Sequence, residues 1–444
     1  LMCRIKMKFR RNRVMNKIMK FLEKYLLPMA DKLGQNRYLN VLRDAFMLAF
    51  PLTIFGSICV VIANLPFLNK FMDEPSLNSF KAALNPTVES SLAIMTVFVV
   101  IGIGYYLLTS YEGDGIFGSA IALGAFFILT PFKDGAIPMD RLGAKGMFVG
   151  IFTAIVSIEI YKRIIAKGWT IKLPDSVPPA VSKSFSAMIP GSVTLSMFLV
   201  IRILFGLTSY GNIHDFVYTV IQTPLVALGG GLPATIVAVL LIQLLWFFGL
   251  HGQIIINSVL DPVWNTLSLQ NLDALQAGKE LPNIITKQFI DTYTVGIGGT
   301  GMTLAVVAAM LFVMKSKQLR EIGKIAAPAG IFNVNEPVIF GLPIVMNPMI
   351  FIPWLLAPVV VVIFTYFMMA TGIVPLTTGI SVPWTMPIFF GGMLATNSIM
   401  GGILQIINFF IVFFIWVPFL KIMDIQNLRA EKEVKVEGEY DFSL

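Results

Sequence analysis

Residues 330–369 read GIFNVNEPVIFGLPIVMNPMIFIPWLLAPVVVVIFTYFMM, with one charged side chain among them, Glu336. The latter part, 350–369, is uncharged and long enough to span a bilayer as a helix, which takes roughly 20 apolar residues. The earlier part cannot be a regular lipid-facing helix. Asn333 and Asn335 precede the carboxylate, Pro337 follows it, and Pro343, Asn347 and Pro348 come soon after. Such a mixture suits a re-entrant hairpin whose irregular backbone lines a cavity. The scarcity of charge extends further, because Glu336 is the only charged residue between Lys324 and Lys421.

Similar runs recur outward from this stretch, at 45–68, 92–111, 116–131, 147–158, 185–201, 232–250, 295–314 and 403–420. Residues 216–231 form a weaker run ending in three glycines, read as a short span or a helix in the membrane plane. Residues 373–396 are apolar but carry Pro375, Pro383 and Pro387, so this segment should be broken. The expected fold is all-α: a polytopic membrane protein of about ten transmembrane helices, with re-entrant hairpins in the second half. Composition agrees. Of the 444 residues 56% are hydrophobic and 13% charged, about half the charge of a soluble domain.

The net charge of +8 would suggest nucleic acid in a soluble protein. Here the basic residues lie between apolar runs and read as orientation signals. Lys162, Arg163, Lys167, Lys172 and Lys183 form one cluster; Lys315, Lys317, Arg320 and Lys324 form another. Residues 206–216 hold no Lys or Arg. Both clusters and both termini are therefore expected on the cytoplasmic side, with the chain multi-pass in the membrane. Cys3 and Cys59 form no metal or redox pattern.

The chain divides into five parts. Residues 1–44 are a basic tail and an amphipathic helix, the latter marked by Ile18, Met19, Leu22, Leu26 and Met29. The tail lacks the apolar core of a secretory signal. Residues 45–164 are a first transmembrane half. Residues 165–184 are a basic linker with Pro174, Pro178 and Pro179. Residues 185–420 are a second transmembrane half, and 421–444 a charged tail.

The chemistry gathers in the second half. An intramembrane carboxylate is costly and by default marks a function; the alternative for Glu336 is a hydrogen bond to loop amides. His251 follows the apolar run 232–250 in LLWFFGLHGQIIIN, with Trp246 before it and Gln253 and Asn257 after. An indole face can pack on the CH face of a sugar while polar side chains hold its hydroxyls. The competing readings are a satisfied core histidine and an interfacial tryptophan. Asp291 in FIDTYTVGIGGTG precedes an uncharged run and could equally be a helix-start residue. Trp384 lies in the broken segment and could be packing alone. No metal-ligand spacing, nucleophile motif or phosphate loop occurs, and no strand precedes GIGGTG as a dinucleotide site needs. Neither cofactor nor metal is expected. Amides, carboxylates and indoles fit an uncharged polyhydroxylated ligand, whose every buried hydroxyl needs a partner.

At NVNEPVIFGLP, with GLHG upstream and FLEKYLLPMADKLGQNRYLNVLRDAF near the N-terminus, the chain resembles the IIC permease subunit of the bacterial phosphoenolpyruvate-dependent sugar phosphotransferase system, in its lactose/cellobiose/diacetylchitobiose branch. The likeness runs from about residue 15 to residue 420. It implies a homodimer joined through the first half, with a β-linked disaccharide of the cellobiose or N,N'-diacetylchitobiose class held in the second. It also implies separate cytoplasmic IIA and IIB proteins, the latter giving a phosphoryl group from phosphocysteine to the sugar. On this likeness Glu336 and His251 serve as the catalytic pair. Gln253, Asn257, Asp291 and Asn335 are polar sugar contacts, and Trp246 and Trp384 stack on the sugar. A proton-coupled secondary sugar transporter, with Glu336 carrying the proton, is the runner-up. A membrane hydrolase is remote, since no paired carboxylate motif is evident.

Overall fold

The structure, a computed structural model, describes residue 28 and residues 32–63, 68–174, 176–342, 344–345 and 347–440. Most of the expected amphipathic helix, and the tail before it, lie outside these residues. All regular structure among the described residues is helical apart from one isolated bridge, Lys133 to Ala136. The first half contains α1 (Arg37–Ala63), α2 (Leu68–Phe71), α3 (Glu74–Glu89), α4 (Met95–Thr109), α5 (Gly115–Leu129) and α6 (Met147–Ala166). After the proline-bearing linker come α7 (Pro179–Gly206), α8 (Ile213–Val217), α9 (Thr223–Gly229), α10 (Leu232–Phe247) and α11 (Gly252–Gln276). The chain continues through α12 (Lys287–Ile290), α13 (Thr303–Phe312), α14 (Lys317–Ile331), α15 (Glu336–Gly341), α16 (Pro348–Ala370), α17 (Phe390–Thr396) and α18 (Ile399–Tyr440).

Among the described residues four helices, α1, α7, α16 and α18, are each long and apolar enough to cross a membrane. A fifth is reached if the stretch Ile213–Gly229 and α10, bent by 68° at their junction, count as one broken span. The bend falls at Gly230 and Gly231, the end of the weak 216–231 run. Other apolar runs make shorter helices. Asp114 starts α5 abruptly, its carboxylate accepting from the Ile116 N–H, as N-cap residues do. α4 then meets α5 through Gly104 and Gly118; a Cβ on Gly104 would lie 2.5 Å from the Gly118 carbonyl oxygen. Close backbone approach at small residues is how helices pack without a hydrophobic drive between them.

The run 295–314 departs from the expected single helix. Residues 296–302 wind as an irregular loop with Met302 left-handed at φ 58°, and only α13 is helical. The glycines Gly298, Gly299 and Gly301 all take positive φ there, which ends helical hydrogen bonding.

The NVNEP stretch forms the turn of a helix–turn–helix. α14 packs one face, Leu319, Gly323, Ala326 and Gly330, and exposes the other. The chain reverses at Asn333, left-handed at φ 65°, and α15 returns with Glu336 first and Pro337 second, where its missing N–H costs nothing. α18 continues from its apolar part into the charged C-terminal stretch. There Asp424 accepts from Lys315 N at 3.0 Å and Ser316 N at 2.7 Å, capping the turn before α14.

Candidate functional site

A cavity of about 510 Å³ opens where α1, α11, the 287–300 stretch, the NVNEP turn and the 379–384 segment meet. Trp246, His251, Gln253, Asn257, Asp291, Asn335, Glu336 and Trp384 all line it. Residues as far apart in sequence as Trp246 and Trp384 thus line one cavity, because the NVNEP turn and the broken 379–384 segment meet α11 there.

His251 caps α11: its Nδ1 accepts from Ile254 N at 3.3 Å. With that nitrogen accepting, the ring proton sits on Nε2, leaving the imidazole a donor on its other edge. Trp246 packs beside it, ring centroids 4.4 Å apart and planes at 48°. The Trp246 indole is only 8% exposed, whereas Trp384 is 45% exposed. Trp246 therefore supports His251 from behind, and Trp384 is the more open aromatic face. Glu336 is exposed and, among the described residues, has no hydrogen-bond or ion-pair partner. Its carboxylate and the His251 ring line the same cavity.

The two asparagines of the turn are buried and bonded. Asn333 accepts from Gly298 N at 2.7 Å and donates to the Trp384 and Met386 carbonyls at 2.7 and 2.9 Å. It thereby ties the glycine loop, the turn and the broken segment together. Asn335 donates to the Thr300 carbonyl at 2.7 Å. A Cβ on Gly299 (φ +81°) would lie 2.7 Å from both the Asn333 carbonyl oxygen and the Asn335 amide carbon, so only glycine fits beneath the turn. Gln405 on α18 completes the clamp. Its oxygen accepts from Phe389 N and Gly392 N, and its nitrogen donates to the Thr292 and Gly296 carbonyls.

Sequence reasoning missed several lining residues. Lys287 is the most consequential: its ammonium lies 3.0 Å from an oxygen of Asp261 and 3.0 Å from one of Asp291. With its amide oxygen turned to the ammonium, Asn257 accepts at 2.9 Å. Asp291 is thus an ion-pair partner as well as a cavity residue. The four-residue spacing of Lys287 and Asp291 was an available signal. Arg43, Gln288, Thr300 and Ser381 also line the cavity and carried no signal of their own. No cluster of metal-ligating side chains occurs among the described residues.

Among the described residues, the helical architecture and a mainly apolar cavity that carries amide, imidazole and carboxylate side chains, walled by broken segments, fit a membrane permease. Residues 43–358 match the family model described as phosphotransferase system, EIIC, and the chain belongs to that family. It is 58% identical over 425 residues to an oligo-beta-mannoside-specific EIIC component of Bacillus subtilis (strain 168), covering 94% of this chain and 96% of the relative. It is 42% identical over 437 residues to a cellobiose-specific EIIC component of Geobacillus stearothermophilus, covering 94% and 97%. The crystal structure of the transporter ChbC, the IIC component of an N,N'-diacetylchitobiose-specific system, superposes with a TM-score of 0.89 at 41% identity, covering 93% of this chain and 99% of that one. The resemblance carried by NVNEPVIFGLP is borne out, and the comparisons favour the phosphotransferase reading over the proton-coupled one. EIIC components bind sugar and work with IIB and IIA proteins, and their place is the cell membrane.

Proposed function

We propose that the cavity holds a β-linked disaccharide, of the cellobiose or N,N'-diacetylchitobiose class, for phosphorylation by a separate IIB protein. The observation that carries this reading is one cavity lined by two indoles, six side-chain amides, His251 and Glu336, the last without a partner among the described residues. The Nε2–H of His251 donates to the sugar's 6-hydroxyl, and Glu336 takes that hydroxyl's proton. The freed oxygen forms the new O–P bond as the S–P bond of phosphocysteine breaks and the thiolate leaves. Trp384 covers the sugar's CH face, while Asn335, Gln253, Asn257 and Asp291 serve its other hydroxyls. The oligo-beta-mannoside relative and the cellobiose relative both name β-linked substrates, which supports the class.

The chain works as a homodimer joined through residues 45–164, surrounded by lipid. It crosses the membrane about ten times, the shorter helices pairing to complete spans. Both termini, the 162–183 basic cluster and the start of α14 face the cytoplasm, a reading supported by the placement of Lys and Arg.

Vesicles containing the protein should accumulate phosphorylated sugar only when phosphoenolpyruvate, the phosphocarriers, IIA and IIB are supplied. Accumulation of free sugar driven by a proton gradient alone would overturn the reading. His251→Ala should weaken disaccharide binding by about 1–3 kcal/mol, since a hydroxyl loses its donor. Trp246→Ala should weaken it through loss of the His251 support, with the protein still folded. Calorimetric titration of both variants checks this; unchanged affinity in both returns the pair to a packing role.

A further inference from the structure

Lys287 is a cation only 14% exposed in a cavity read as holding an uncharged sugar, and nothing in the phosphoryl transfer uses it. An ammonium has three N–H groups, and three oxygens surround this one: Asp261 and Asp291 at 3.0 Å each and Asn257 at 2.9 Å. These three protein oxygens crowd the ammonium, whose side chain is 14% exposed, and leave it little room for a sugar hydroxyl. The lysine is itself held in place. Its backbone N–H donates to Ser268 Oγ at 3.0 Å. Thr286, immediately before it, caps α12 and bonds Thr377 at 2.7 Å.

We infer that Lys287 is a tethered counter-ion, a positioning residue that keeps the Asp261 and Asp291 carboxylates charged, fixed and independent of dissolved cations while Asp291 faces the sugar. Two carboxylates and one ammonium leave a net charge of minus one in the cluster. Without the ammonium, two buried like charges would face each other at a cost that binding a proton or a cation relieves. The other charged or titratable groups facing this cavity are Arg43 on α1, His251 on α11 and Glu336 on α15. None of the three is in ion-pair contact with Asp261 or Asp291 among the described residues. The three oxygens are spaced for an ammonium, and the potassium ion is close to ammonium in size. A Lys287→Met protein should therefore acquire a potassium requirement that the native protein lacks.

The inference rests on the sugar reading for its binding arm only. Disaccharide titrations and melting curves are measured on native, Lys287→Met and Asp261→Asn/Lys287→Met proteins. Buffers contain either N-methylglucamine or potassium and span mildly acidic to neutral pH. Lys287→Met at neutral pH without potassium should bind sugar about tenfold or more weakly than the native protein. Its affinity and melting temperature should rise as potassium is added or the pH is lowered. The native protein should be flat in potassium. The double variant restores the cluster's net charge and should also be flat, whatever its absolute affinity. Lys287→Met that is weakened equally at every potassium concentration and pH overturns the inference, as does a double variant that stays potassium-dependent or fails to fold. A native protein that binds no disaccharide would instead sink the sugar reading, and the sugar-free melting curves would still decide the role of Lys287.

Discussion

Glu336→Gln should bind disaccharide, remain folded and lose most phosphoryl transfer. The carboxylate is exposed to the cavity and makes no hydrogen bond or ion pair to any described residue. An amide of the same shape therefore breaks nothing in the fold. It can still accept a hydrogen bond from a sugar hydroxyl, but it cannot take the proton. Removing a general base typically costs a factor of about 10²–10⁴ in rate. The measurement is equilibrium sugar binding beside transfer from phosphorylated IIB, on one purified preparation. Near-native transfer would remove Glu336 from the chemistry. Equal losses of binding and transfer would leave it a sugar ligand only.

Asn333→Ala should be the most destabilising change at the cavity, although Asn333 is not expected to react with anything. It removes one acceptor and two donors from backbone partners, the buried Gly298 N–H and the half-buried Trp384 and Met386 carbonyls. A buried group left unpaired costs about 1–3 kcal/mol, and a half-buried one less. Alanine also takes the left-handed conformation at φ 65° at a further cost of roughly 1–2 kcal/mol, which asparagine largely escapes. The sum is about 3 kcal/mol or more. Asn333→Gly separates the two terms, because glycine relieves the backbone cost and keeps the bond loss. Thermal unfolding in detergent should rank native above Asn333→Gly above Asn333→Ala. Equal melting temperatures would show that the three bonds do not hold the turn.

Apolar runs and scarce charge made the helical membrane class legible, because a bilayer forces both on any chain that crosses it. The same scarcity singled out Glu336, His251, Asp291 and the two tryptophans, and all of them line the cavity. Their uses were not legible. Asn333 looked like one more polar residue in a turn, since its partners lie 35 to 53 residues away. Lys287 and Asp261 sit in more polar sequence, where single charges are cheap, and the four-residue spacing of Lys287 and Asp291 is the one signal there. The sequence presents Trp246 as a stacking face, and the fold adds its contact with the His251 ring at 4.4 Å. The 295–314 run misled because hydropathy does not register backbone handedness: the glycines that unwind it are as uncharged as the residues that would have kept it helical.

The arrangement of the six tryptophans makes the protein its own optical probe. Trp264, Trp354 and Trp416 have no solvent exposure and should emit as a constant background. Trp169 lies in the 167–178 segment, away from the cavity lining. Only Trp246, against an imidazole, and Trp384, open to the cavity, should alter their emission when a ligand arrives. Sugar occupancy can then be followed by intrinsic fluorescence without a label. Single Trp→Phe replacements at the two positions divide the signal into the aromatic face and the histidine support.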